Sequence, residues 1–264
     1  MIASEKASIQ YSPHPSLHQV AHREFPLPAR NWSWRQSWHN LLFAHWRIPV
    51  SAVRHLVPRQ LTIQEFDGSS WIGVVPFDMR GIMMRPLPDL PYVSAFPEIN
   101  VRLYVEYQGI PGVWFLSLDA GNLLAVGAAR LLFNLPYFHA QMSSVQQGED
   151  VTYSSKRITF GKEAEFSGRY GPTGAPFHST PGSLEHFLTE RYFLFATNRK
   201  GDLFRAAIHH APWPLQPAYL EQETNTMSDG FGVQLSSTPE TLHFSRAVDV
   251  VVWGLDLVSS SQSA

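Results

Sequence analysis

Hydrophobic and polar positions alternate most cleanly between Glu98 and Gln108. Glu98, Asn100, Arg102, Tyr104 and Glu106 fall on one face, and Ile99, Val101, Leu103, Val105 and Tyr107 on the other. Period two without an exception predicts a strand, because successive side chains of extended backbone point to opposite sides. Gly109-Ile110-Pro111-Gly112 turns the chain, and Val113 to Asp119 returns as its partner. A symmetric turn of two or four residues sets Arg102 opposite Asp119 and Tyr104 opposite Ser117.

The same reading places a long strand or strand pair over Trp32–Ile48 and a short helix from Pro49 to about Leu56. A strand at Leu61–Phe66 and another at Trp71–Met79 flank Asp67-Gly68, a hairpin turn signal. Residues 80–97 carry four prolines and read as an irregular loop. Leu123–Phe133 is the best helix candidate, stopped by Asn134-Leu135-Pro136. Strands are expected at Tyr137–Ser144, Asp150–Phe160, Glu163–Tyr170, 203–209, 230–236 and 241–258. A second helix over Leu184–Phe195 is capped by Ser183. Residues 1–30, rich in Pro, His and Ser, form a tail that is either poorly ordered or strapped across the surface. Residues 31–264 form a single α+β domain, mainly antiparallel β.

Composition narrows the function classes. Of 264 residues, 44% are hydrophobic and 16% charged, which excludes a disordered chain. A formal charge of -2 argues against nucleic acid as a partner. No run approaches the length of a membrane span, and Met1-Ile2-Ala3-Ser4-Glu5-Lys6 opens no long apolar signal region, so a cytoplasmic protein is expected. With no cysteine, disulfides and thiolate chemistry are excluded. The 20 basic residues are 16 Arg and only four Lys. His14, His18 and His22 recur every four residues, but Pro13 and Pro15 argue against the helix that would let them chelate. His39 and His45 share a strand face about 20 Å apart. His209 and His210 point oppositely. No metal-ligand spacing, nucleotide-binding glycine loop or G-x-S-x-G motif occurs, so no metal or cofactor is expected.

Three segments carry a family resemblance: Phe96-Pro97-Glu98-Ile99-Asn100-Val101-Arg102, Gly112-Val113-Trp114-Phe115-Leu116-Ser117-Leu118-Asp119-Ala120, and Ala128-Ala129-Arg130-Leu131-Leu132-Phe133-Asn134-Leu135-Pro136-Tyr137. Thr189-Glu190-Arg191-Tyr192 and His210-Ala211-Pro212-Trp213-Pro214-Leu215 add to it. Over about residues 32–257 the chain resembles the bacterial family DUF2071, also called YqjF-like. The resemblance implies a fold similar to acetoacetate decarboxylase, a conical β-barrel with a few outer helices. That enzyme forms a Schiff base through a lysine after an Arg-containing helix and a Phe-Pro step, with a second lysine directly following. Here Arg130 and Leu135-Pro136 match that stretch, but Tyr137 and Phe138 follow, and neither can form an imine. The decarboxylase glutamate appears matched by Glu98.

No other lysine is well placed. Lys6 lies in the tail, Lys162 and Lys200 at turns, and Lys156 in a strand whose Arg157 points the opposite way. Schiff-base chemistry is therefore not expected. Glu98 either starts a strand and pairs with a nearby Arg, or serves as a general base in an apolar cone. Arg102 with Asp119 is either a solvent-face ion pair worth about 0–1 kcal/mol or a carboxylate-binding group inside the cone. Glu98 and Arg102 are about 13 Å apart along one strand, so each needs another partner. Tyr137 and His139 share a face if Tyr137 begins a strand, where they either pack or move a proton.

The candidate catalytic residues are therefore Glu98, Tyr137 and His139, and the candidate substrate-binding residues Arg102, Asn100, Asp119 and Arg130. Three readings follow. The first is a lysine-less small-molecule protein doing acid/base chemistry on a small oxo-acid or carbonyl compound. The second is a non-catalytic module binding an apolar ligand. The third is an assembly protein using the 80–97 loop and the tail, which makes a homo-oligomer a candidate state.

Overall fold

The computed structural model describes residues 14–85, 95–123, 127, 134–159 and 163–260. Among these, thirteen strands join into one sheet. They are β1 (Trp34–Ile48), β2 (Thr62–Ile63), β3 (Ser70–Met84), β4 (Phe96–Tyr107), β5 (Ile110–Ala120), β6 (Tyr137–Gln147) and β7 (Asp150–Arg157). Then come β8 (Glu165–Pro172), β9 (Phe193–Thr197), β10 (Leu203–His210), β11 (Leu215–Asn225), β12 (Thr241–Val252) and β13 (Asp256–Ser259). Two α-helices, α1 (Val50–Val53) and α2 (Leu184–Thr189), are short. The Ser183 hydroxyl caps α2 by accepting from the His186 N–H at 3.2 Å.

The pairing closes on itself twice. One circuit runs β5–β4–β3–β1–β12–β11–β8–β7–β6 and back to β5 through a parallel pair. A second leaves β12 through β10 and β9 and returns to β5, again in parallel. The wall β12–β1–β3–β4–β5 belongs to both circuits, so it is buried on both sides. On one side of β4, Ile99, Val101, Leu103 and Val105 pack in a cluster with Val151, Tyr153, Phe166 and Tyr170. On the other side, Phe96 and Tyr104 share a cluster with Leu194, Ala206, Ile208 and Trp213. The face carrying Glu98, Asn100 and Arg102 is therefore an inner face.

Several sequence expectations need correction. Arg102 faces Phe115, not Asp119, and Tyr104 faces Val113, not Ser117. The turn lies at Gln108-Gly109, with φ of 50° and 77°, not over Gly109–Gly112, so β5 already begins at Ile110 and the register moves. A bulge at Leu116 shifts it again between Val101 and Arg102. The Asp67-Gly68 turn forms, with positive φ of 51° and 72° and a Phe66–Ser69 bridge, but it joins no hairpin: β2 pairs with β4. Pro49 caps α1 from outside rather than starting it, and a 3-10 turn over Arg54–Leu56 follows. The expected helix at Leu184–Phe195 ends at Thr189, and Phe193 already belongs to β9. At 230–236 a 3-10 turn (Asp229–Phe231) replaces the expected strand, while β11 was not anticipated. Pro217 and a half-exposed, unpatterned sequence hide β11. β3 runs on to Met84, into the expected loop. Most of the segment expected to form a helix, Leu123–Phe133, lies outside the described residues.

β1 is one strand, interrupted at Asn40, which has a φ of 53°. Asn40 donates to Asp78 Oδ2 at 3.0 Å and accepts from Arg246 Nη1 at 2.8 Å. The interruption flips the alternation: Trp38 and Leu41, three residues apart, both join the cluster containing Tyr104. His39 and His45 consequently lie on opposite faces. Residues 14–32 run over β10 and β12. There His22 Nε2 donates to the His210 carbonyl at 3.0 Å, and Arg23 Nη1 to the Ile208 carbonyl at 2.8 Å.

Gly112 shows how closely β9 approaches β5. A Cβ there would lie 2.7 Å from Phe195 Cε2 and 2.8 Å from the Phe193 carbonyl oxygen. Gly112→Ala is expected to destabilise by about 1–3 kcal/mol, read as a lowered urea midpoint with an unchanged slope.

Candidate functional site

Glu98 enters the inner face just after Pro97 and is only 2% exposed. Its Oε2 accepts from the Tyr137 hydroxyl at 3.0 Å. Its backbone carbonyl accepts from the Tyr153 hydroxyl at 2.8 Å, which fixes the strand at that point. Burial pushes the Glu98 carboxyl up to about 8, against the opposing pull of the Tyr137 bond. Burial, with Glu98 beside it, also raises the Tyr137 phenol well above its ordinary value. A buried carboxyl with its pKa near neutrality, held by a neutral phenol, is suited to giving or taking a proton near pH 7.

The sheet register explains this meeting. Glu98 pairs with Ala120, and Ala120 pairs with His139 in β6. Asn100, Leu118 and Tyr137 form the next row. Tyr137 reaches diagonally to Glu98. His139 sits in the Glu98 row across the small Ala120, half-buried. Its ring makes no hydrogen bond among the described residues, so it neighbours the pair without joining it.

Asn100 is 5% exposed, and its Oδ1 has no hydrogen-bond partner among the described residues. Arg102 is half-buried. Its Nε donates to the Tyr104 hydroxyl at 3.2 Å, its Nη2 lies 3.4 Å from the Leu188 carbonyl, and its guanidinium stands 5.3 Å from the Phe43 ring centroid. No carboxylate lies within 4.0 Å of it among the described residues.

Asp119 corrects the expected pairing with Arg102. It is fully buried, opposite Ile99, on the other side of the wall. There it accepts from Arg157 Nε at 2.7 Å and Nη2 at 2.6 Å, a bidentate pair, while the Phe138 ring covers the guanidinium at 4.0 Å. Its carboxylate is taken up by the fold. Arg130 lies outside the described residues.

Residues passed over by sequence reasoning surround Arg102. The Tyr104 hydroxyl is 2.6 Å from His45 Nε2, and both side chains are fully buried. Burial, with Arg102 nearby, holds the His45 imidazole well below its ordinary value, so it is neutral. Arg191, 8% exposed, stands 5.2 Å from the Tyr104 ring centroid. The sequence offers Arg191 only within the Thr189-Glu190-Arg191-Tyr192 segment of the family resemblance, and His45 only as a histidine too far from His39 to share a metal. Tyr104 was legible as a residue of the Arg102 face.

Two lysines are described. Lys156 has a side chain 68% exposed, 3.7 Å from Glu165. Lys200 lies in the exposed turn at Asn198. No group of three or more His, Cys, Asp or Glu among the described residues is placed to hold a metal, and no helix there is long and apolar enough to cross a membrane. A cavity of about 230 Å³ opens where β5 passes from β9 to β6. Trp114, Phe115, Leu135, Pro136 and Phe195 line it. It is mainly apolar and lies immediately before Tyr137.

The doubly closed sheet defines a protein of acetoacetate decarboxylase-like fold. It superposes on acetoacetate decarboxylase from Legionella pneumophila with a TM-score of 0.60 at 14% identity, covering 95% of this chain and 100% of that one. The enduracididine biosynthesis enzyme MppR, complexed with the condensation product of pyruvate and imidazole 4-carboxaldehyde, gives 0.62 at 13% identity over 86% of this chain and 89% of that one. Residues 35–249 match DUF2071, described as an uncharacterized conserved protein, and the chain belongs to that family. It is 43% identical to the uncharacterized protein YqjF of Bacillus subtilis over 233 residues, 88% of this chain and 96% of that protein.

Proposed function

We propose that this protein binds a small oxo-acid or related carbonyl compound and moves a proton on it through Glu98 and Tyr137, without a Schiff base. The observation that carries the reading is the buried Glu98 carboxyl, raised to about 8 and held by one phenol, on the inner face that also presents Asn100 and Arg102. In its ionised form Glu98 takes a proton from the carbon next to the carbonyl. The C–H electron pair becomes the C=C bond of an enolate, and the carbonyl π pair moves to oxygen. The Asn100 amide stands on the same face to donate to that oxygen. Returning the proton restores the ketone, and Arg102 attracts the acid group. A protein of similar fold, MppR, has been solved in complex with pyruvate, which supports the ligand class.

The test is α-proton exchange of oxo-acids in D2O, followed by NMR. The protein should accelerate exchange, and Glu98→Gln should lower the rate by about 100-fold or more. Borohydride added during turnover should leave the protein mass unchanged. A reduced covalent adduct would overturn the reading. The apolar cavity beside Leu135 favours a second reading, a binder of an apolar ligand. Binding without any exchange, by wild-type protein, supports it.

A further inference from the structure

Arg102 is not the only guanidinium on the inner face that lacks a carboxylate. Arg191 follows α2 and is nine-tenths buried. Its Nε donates to the Phe187 carbonyl at 2.6 Å and its Nη1 to Gln64 Oε1 at 2.6 Å. Gln64 in turn donates to Glu106 at 3.0 Å, so Arg191 meets an acid only through an amide. No carboxylate lies within 4.0 Å of either arginine among the described residues. Both stand by one phenol, 5.7 Å and 5.2 Å from the Tyr104 ring centroid. The Arg102 Nη1 and Arg191 Nη2 groups have no hydrogen-bond partner among the described residues, and neither is sealed from solvent. Two cations gathered in a largely apolar interior are costly unless an anion joins them.

The acid and the reacting carbonyl cannot then be neighbours. Arg102 leans toward Tyr104 and Leu188, along β4 and away from Glu98. Glu98 and Arg102 are four residues apart on an extended strand, about 13 Å between Cα atoms. Allowing about 3 Å for the contact at each end leaves about 7 Å for the ligand. Asn100, with its unpartnered buried oxygen, lies midway. The Phe43 ring, 5.3 Å from the Arg102 guanidinium, adds an apolar surface to this face.

We infer that Arg102 and Arg191 form one carboxylate site, and that the ligand is an oxo-acid whose carboxylate lies about six bonds from its carbonyl. This rests on the proposed reading for the carbonyl end only. The neutral His45, hydrogen-bonded to Tyr104, positions the phenol between the two arginines and adds no charge of its own.

Calorimetric titration with pyruvate, 4-oxopentanoate, 7-oxooctanoate and methyl 7-oxooctanoate tests the assignment. 7-Oxooctanoate should bind about tenfold or more tighter than pyruvate, and its methyl ester about tenfold or more weaker than the free acid. Arg191→Gln should erase most of both preferences. Arg102→Gln, at a half-exposed position held by neutral partners, gives the same readout if Arg191→Gln does not fold. Glu98→Gln should keep both preferences while losing exchange. Equal affinities along the series, tightest binding of pyruvate, binding of none of the four, or preferences that survive both arginine variants would overturn the assignment. Arginine-dependent binding without exchange would leave it standing and sink the catalytic reading. Exchange of pyruvate that ignores both arginines would do the reverse.

Discussion

Glu98→Gln should stabilise the protein in alkaline solution while removing its proton chemistry. The folded Glu98 carboxyl titrates at about 8, against an ordinary 4.5, because burial penalises its charge. Below pH 4.5 it is neutral in both the folded and unfolded chains, and it contributes no pH dependence. Between 4.5 and 8 the unfolded chain releases the proton and the folded chain keeps it, so stability falls as pH rises. Above 8 the whole penalty applies, on the order of 4–5 kcal/mol. Glutamine stays neutral throughout and keeps an oxygen for the Tyr137 hydroxyl, though its amide N–H groups cost about 1–3 kcal/mol if unpaired. The variant should therefore unfold at a higher temperature than wild type at pH 9. At pH 4 the advantage should vanish or reverse. Thermal scans at the two pH values check this. An equal difference at both would show that Glu98 is an ordinary carboxylate.

Asp119→Ala should have the largest destabilising effect. The pair with Arg157 has two short hydrogen bonds and side-chain exposures of 0% and 5%. Removing the carboxylate takes two short charge-assisted hydrogen bonds from a guanidinium that lies beneath Phe138 with little access to water. The expected loss is about 3–5 kcal/mol in urea unfolding. The double variant Asp119→Leu with Arg157→Met should recover most of it, because no charge is then left unpaired. If the double variant is as unstable as the single one, the cost comes from packing rather than charge.

The contrast between these two acids explains what the sequence could disclose. The β4 alternation was plain, and it located the strand and the shared face of Glu98, Asn100, Arg102 and Tyr104, though the turn falls earlier than expected, at Gln108-Gly109. Which face looks inward was not plain, because a polar face usually meets solvent. Here β4 lies in a wall common to two closed circuits, a consequence of long-range pairing that no local pattern encodes. The pairing of Asp119 failed for a different reason. The turn lies at Gln108-Gly109 rather than over Gly109–Gly112, which puts Phe115 opposite Arg102, and the extra residue Leu116 on β5 then moves Asp119 to the face of Ile99. Asn40 does the same in β1, separating His39 from His45. That Tyr137 and Phe138, not lysines, follow Leu135-Pro136 was readable because it depends on residue identity alone. The placement of Tyr137 was readable in part: sharing a face with His139 was expected, whereas its reach to Glu98 needed the parallel β5–β6 register. Arg191 joins Tyr104 from 87 residues along the chain, beyond the reach of any period or spacing.

The central claim is that Glu98 is a neutral acid poised near physiological pH, and carboxyl-carbon NMR of the protein labelled at glutamate Cδ tests it most directly. One resonance should titrate near pH 8, well after the other glutamates, and should be missing from Glu98→Gln. If every glutamate carboxyl has titrated by about pH 6, Glu98 is ionised in the folded protein and the acid/base account fails.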